Sequence, residues 1–241
     1  MEITYIGHSG FFVEVEQICF LFDYYRGEIP KIQAGKALLV FVSHRHEDHY
    51  NTRIFELIKS YPGVRFILSS DIRIKKILEE YSGKGIDLSS HILFVKPNTI
   101  QKIECSDGKS LEIETLKSTD EGVAFFLTVE GKKIYHAGDL NLWIWEGESK
   151  QYNNNMKAMY FKELEKIKKR EIDAAFVPLD PRQGKDAFEG ILSFMEYTES
   201  SHVFPMHFWG KDEIIREFLD RYPEYEKKVE VIEREGQEFY I

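Results

Sequence analysis

An uninterrupted apolar run, Ala37 to Val42, leads straight into Ser43-His44-Arg45-His46-Glu47-Asp48-His49-Tyr50. This junction constrains the fold more than any other stretch. A run of this kind suits a strand covered on both faces, because a strand with one wet face alternates apolar and polar residues. Such a strand needs a sheet around it and layers of structure on either side. The residues that follow are as specific: three histidines and an aspartate fall within six positions. His44 and His46 are two apart, so on extended backbone they project to the same side. Imidazole nitrogens and a carboxylate are donors for zinc, and also for manganese or iron. The end of a buried strand is where open α/β sheets place ligands. The stretch reads as a metal-ligating loop rather than a solvated turn.

The rest of the chain supplies the sheets. "EITYIG", "FFVEVE" and "ICFLFD" are short β-like segments separated by few residues, as in a meander of hairpins. A helix is predicted near Asn51, from Ile54, Leu57, Ile58 and Tyr61. "VRFILSS" reads as a strand and "IRIKKILEEY" as a short helix closed by glycines. "HILFVK", "SLEIETLK", "VAFFLTVE" and "KKIYHAG" return to strands, the last two joined as a hairpin. In the final third, strands "DAAFVPL" and "HVFPMHF" alternate with three helices. The helices are marked by Met156/Tyr160/Leu164/Ile167, Phe188/Ile191/Leu192/Met195 and Ile215/Phe218/Leu219/Tyr222, the last of them long. No low-complexity linker or composition break interrupts the 241 residues, so a single domain over 1–241 is expected.

Charge and cysteines narrow the function. A formal net charge of −9 disfavours non-specific capture of nucleic acid or an anionic membrane. Two isolated cysteines, Cys19 and Cys105, provide neither a disulfide framework nor a thiolate zinc site. The opening "MEITYIGHSG" lacks the regions of a secretory signal, and no apolar run is long enough to span a bilayer. The cytoplasm is the expected location. No P-loop, dinucleotide fingerprint or G-x-S-x-G elbow is present.

The H-x-H-x-D-H pattern of His44, His46, Asp48 and His49 resembles the signature of the metallo-β-lactamase superfamily. The resemblance runs through most of the chain. Small soluble hydrolases of that family often open with Gly-His then an aromatic, as "YIGHSGFF" does, and carry an aspartate ending an early strand, as Asp23 does. Asp139 in "IYHAGD" resembles the bridging aspartate, and His207 in "VFPMHF" the final histidine. The chain looks most like the ascorbate-6-phosphate-lactonase-like branch and related metal-dependent hydrolases. The resemblance implies an α+β, four-layer αββα sandwich with the metal site at one edge of its two sheets. It implies two divalent ions, zinc above all, with His44 and His46 on one, Asp48, His49 and His207 on the other, and Asp139 between them. It implies hydrolysis by a metal-activated hydroxide, which Asp48 also helps to hold in line. The expected substrate is a small, anionic ester, lactone or phosphodiester. His46, where flavodiiron oxidoreductases typically carry a glutamate, favours hydrolysis over redox chemistry.

One departure stands out. Relatives usually supply a third histidine to the first metal, from a region that here reads "STDEG". Asp120 offers an oxygen there, Thr119 a weaker one, or water takes the place. A non-catalytic or single-metal member of the fold is therefore the rival reading, with a nuclease behind it. Around the ligands, His8 and Asp23 are candidates to hydrogen-bond them. Trp143 and Trp145 are candidates to wall a substrate pocket, and Arg182 to receive an anionic group. His136, His91 and His202 read as structural.

Overall fold

A computed structural model describes residues 1–104 and 109–241, which divide into two compact units. Cys105 lies outside the described residues.

The first unit, residues 1–96 and 235–241, is built on a seven-stranded sheet. Its strands are β1 (Glu2–Gly7), β2 (Gly10–Val15), β3 (Ile18–Phe22), β4 (Ala37–Val42), β5 (Arg65–Ser69) and β6 (Ile92–Val95), with the C-terminal strand β13 (Glu238–Tyr240) pairing antiparallel to β1. β1, β2 and β3 form the antiparallel meander, and β3 through β6 run parallel. β4 lies between β3 and β5, which explains why its sequence is apolar throughout. Leu38, Val40 and Val42 face one side, into a cluster with Ile54, Phe55 and Phe66. Phe41 faces the other, its ring stacked on Phe22 at 5.1 Å.

The predicted helix after Asn51 is shorter than its periodicity implies. It is a 3-10 turn, Thr52–Glu56, followed by a single α-turn, α1 (Leu57–Ser60). Pro62 stops it: the ring excludes the α conformation from the preceding residue, and Tyr61 sits at φ −129°, ψ 80°. α2 (Lys75–Gly83) matches the second predicted helix.

The second unit, residues 97–234, carries a six-stranded sheet. β7 (Ile100–Glu104), β8 (Ser110–Lys117), β9 (Val123–Val129) and β10 (Lys132–His136) are antiparallel neighbours. β11 (Glu171–Pro178) and β12 (Glu199–Met206) extend the sheet in parallel from β10. Three helices accompany it: α3 (Lys150–Leu164), α4 (Glu189–Tyr197) and α5 (Glu213–Arg221). α4 packs its apolar face inward, with Phe194 stacked on Tyr135 of β10 at 4.9 Å. α5 spans nine residues and is not long. Pro223 ends it as Pro62 ends α1, with Tyr222 at φ −131°, ψ 66°. β7 and β13 were not among the expected strands, being a half-exposed edge and a three-residue pairing with no apolar alternation of their own.

The α+β class and the pair of mixed sheets agree with expectation. Among the described residues no helix is long and apolar enough to cross a membrane. In both units the polar donors follow the carboxyl ends of strands: Asp23 after β3, Ser43 to His49 after β4, Asp139 after β10, Asp180 after β11 and His207 after β12.

Candidate metal centre

In the first unit one buried carboxylate organises the histidines. Asp23 is wholly buried, and its Oδ1 accepts from the backbone N–H of Ser43 at 2.7 Å. Its Oδ2 accepts from Ser43 Oγ at 2.6 Å and from His49 Nδ1 at 2.7 Å. The hydroxyl of Ser43 has a single proton, and that proton is committed to Asp23. Ser43 Oγ therefore accepts from His44 Nδ1, 2.9 Å away. Protonation at Nδ1 of both His44 and His49 assigns the lone pair to Nε2 in each, the nitrogen a metal would take. The two rings lie 4.2 Å apart, and His46 packs edge-on to His44 at 4.7 Å.

The remaining donor of the motif, Asp48, accepts from His8 Nε2 at 3.2 Å. His8 also packs against His49, with ring centroids 5.5 Å apart. Asp71 steadies the loop from below by accepting the backbone N–H of Arg45 at 3.0 Å, between the two histidines. His8 and Asp23 both hold left-handed backbone, at φ 54° and 39°. Non-glycine residues seldom adopt that region, and strain of this kind gathers where structure is held for function.

In the second unit Asp139 follows β10 through Ala137 and Gly138, whose φ of 51° turns the chain. The main chain around it is pinned. Asp139 O accepts from Trp143 Nε1 at 2.9 Å, and Thr119 Oγ1 accepts from the backbone N–H of Asn141 at 3.1 Å. Asp120, on the β8–β9 loop, is exposed, and it brings a carboxylate oxygen within 4.8 Å of one on Asp139. On the other side His207 Nε2 is 3.5 Å from Asp139 Oδ1. His207 has φ 65° and donates from Nδ1 to Asp180 Oδ2 at 2.9 Å.

Asp180 is fully buried, which by itself opposes its ionisation. The hydrogen bonds from His207, the Arg182 guanidinium and the Arg182 backbone prevail and hold its carboxyl down at about 2. An anionic Asp180 keeps the proton on His207 Nδ1, so Nε2 again carries the lone pair. Arg182 is thus committed to Asp180, with Nε 3.0 and 2.9 Å from its two oxygens, and it also lies over the Trp209 ring at 4.5 Å. Trp143 packs against His207 at 5.5 Å and stacks parallel to Trp145 at 5.9 Å.

The other histidines are structural. His136 is buried in β10, accepting from Gly138 N–H at 3.2 Å, with its ring on Phe176. His91 Nδ1 donates to Val64 O, and His202 Nδ1 to Glu230. Ser43, Asp71 and Asp180 were not among the expected site residues. Ser43 was findable as the small polar residue ahead of the motif. Asp71 and Asp180 act through folding alone, since each reaches a loop more than 25 positions away.

The donors within each unit are of the kind that borderline divalent ions take. Three buried or nearly buried histidines, His44, His49 and His207, have their tautomers set by hydrogen-bond acceptors, and carboxylates stand beside them.

Residues 2–154 match the model of the β-lactamase superfamily domain. A UPF0173 metal-dependent hydrolase of Alkaliphilus metalliredigens is 24% identical over 222 residues, covering 86% of this chain and 85% of that protein. Igni18, a metallo hydrolase from Ignicoccus hospitalis, matches the fold with a TM-score of 0.66 over 100% of this chain and 98% of its own, at 22% identity. The short form of human tRNase Z matches it at a TM-score of 0.59 and 14% identity, over 100% and 99% of the two chains. The matched stretch holds the H-x-H-x-D-H loop and Asp139. This chain belongs to the metallo-β-lactamase branch of the β-lactamase superfamily and is one of its metal-dependent hydrolases.

Proposed function

We propose that this hydrolase cleaves a small, anionic ester, lactone or phosphodiester with the help of two divalent ions, zinc in the first instance. In this reading His44 and His46 would hold one ion and Asp48, His49 and His207 the other, with Asp139 available to both, an assignment carried over from the family. Asp120 takes the place of the family's third histidine and supplies oxygen, which favours manganese or iron more than an imidazole would. Ions held there would supply a water acidified towards neutral pH and a Lewis acid for the oxygen of the bond under attack. The protein's part is to place the donors. Asp23 and Asp180 fix the histidine tautomers, and His8 steadies Asp48, whose carboxylate orients the attacking water and takes its proton. The observation that carries the reading is the arrangement about Asp23, which turns Nε2 of both His44 and His49 into a lone-pair donor.

Metal content by elemental mass spectrometry, on the wild type and Asp120→Ala, tests the assignment. About two ions per chain, falling to about one in the variant, is the expected result. Asp139→Ala and His207→Ala are expected to lower metal-dependent turnover of esters, lactones and phosphodiesters by at least about a thousandfold. Full activity in either variant overturns the proposal. The exposure of Asp120 favours one further reading, a single-metal binding or sensing protein. One ion per chain, unchanged by Asp120→Ala and without turnover, establishes that reading instead.

A further inference from the structure

The chain has three tryptophans: Trp143 and Trp209 both meet His207, and Trp145 stacks on Trp143. Trp143 meets the imidazole at 5.5 Å and is anchored through Nε1 to Asp139 O. Trp145 lies parallel on Trp143 within 1°. Trp209 meets the same imidazole edge-on at 5.6 Å, and Arg182 stacks on it. Trp143 is 6% exposed and belongs to the core, whereas Trp209 is 45% exposed. Leaving a large apolar ring in water is costly and does nothing for folding. This ring is also held firmly, by the cation on its face and by left-handed backbone at φ 55°. A rigid, partly wet indole beside a buried, oriented imidazole is the arrangement of a binding wall rather than of a core plug.

We propose that Trp209 forms a subsite for a planar aromatic group, so that the preferred substrate carries an aromatic ring next to the carbonyl or phosphoryl centre. This rests on the reading of His207 as a metal ligand, since that is what places the ring beside the bond to be cleaved. An indole accepts a second ring in offset-stacked or edge-to-face contact, and stacking gains more than the buried area alone. A methyl group in the same place gains only its small area. Arg182, committed to Asp180, sets the tilt of Trp209 and does not serve as the main anion receptor.

Indole emission reads the test, because Trp209 is one of only three tryptophans in the chain. Purified metal-loaded protein is titrated with phenylphosphonate and, separately, with methylphosphonate. The phenyl probe is expected to perturb the emission with an apparent Kd about tenfold lower. Trp209→Ala is expected to reduce that preference at least about threefold, and Trp209→Phe, which keeps a ring, to retain most of it. Equal Kd values for the two probes, no response to the phenyl probe, or a preference unchanged in Trp209→Ala overturns the subsite. The hydrolase reading is judged apart, by metal-dependent turnover. Turnover without aromatic preference removes only the subsite, and aromatic preference without turnover removes only the hydrolase assignment.

Discussion

The carboxylate of Asp23 takes hydrogen bonds from Ser43 N–H, Ser43 O–H and His49 Nδ1, all inside the protein. Asp23→Asn is expected to weaken metal binding by about 10–100-fold, the usual effect of losing a ligand's carboxylate partner. Competition with a chromogenic chelator measures it. Ser43→Ala leaves the His49 contact in place and is expected to cost less, so an equal loss in the two variants sinks the proposed order of donors. Cys19 makes a different case at the same scale. It has no exposed surface, burial and a hydrogen bond to Glu14 push its thiol up to about 12, and the thiolate is the reactive form. At pH 8 only about one molecule in 10⁴ would carry the thiolate there. Iodoacetamide at pH 8 is therefore expected to leave Cys19 unlabelled in the native protein and to label it once denatured, as peptide mass spectrometry reads. Rapid native labelling contradicts the burial of β3.

At the scale of elements, Gly190 shows how α4 supports the loop that carries Asp139. A side chain at Gly190 would put its Cβ 1.9 Å from Asn141 Oδ1, and Asn141 is 1% exposed, bonded to Gln183 and pinned through its backbone by Thr119. Neither partner has room to yield. Gly190→Ala is expected to destabilise by about 1–3 kcal/mol, or several degrees in Tm for a chain of this size. Metal retention is expected to fall with it, because Asn141 lies two residues from Asp139. A thermal melt together with elemental analysis checks both, and an unchanged Tm would mean that the close approach is not maintained in solution. The same scale explains the shortened helices. Periodicity locates Ile54 and Ile58 or Ile215 and Phe218 correctly on buried faces, but where the helix stops is decided by Pro62 and Pro223 through the residue before each.

For the molecule as a whole, the net charge of −9 sets the terms of association. A similar fold occurs in the short form of human tRNase Z, at 14% identity. Fold alone does not carry function, which lives in the site. Binding of a fluorescent single-stranded RNA is expected to be undetectable at about 0.15 M salt, where an acidic surface gains nothing from releasing counterions. Measurable, steeply salt-dependent binding would bring the nuclease reading forward.

Much of the site could be read directly from residues. His44, His46, Asp48 and His49 lie within one six-residue stretch, and the apolar run before them announces a buried strand; both are local patterns, so the chain itself determined them. Asp139 and His207 were picked out through the family resemblance, which expects a ligand at the end of each of these strands. What tertiary structure alone decided is how donors distant in sequence meet. Asp180 comes to His207 only because β11 and β12 run parallel and end together. Asp71 comes to Arg45, and Asp23 to Ser43 and His49, because β3, β4 and β5 are parallel neighbours. The same holds for Trp209, whose place beside His207 and under Arg182 depends on a left-handed turn that no periodicity encodes. Periodicity records which way a side chain faces along one element. Strand register and turn geometry decide what it meets.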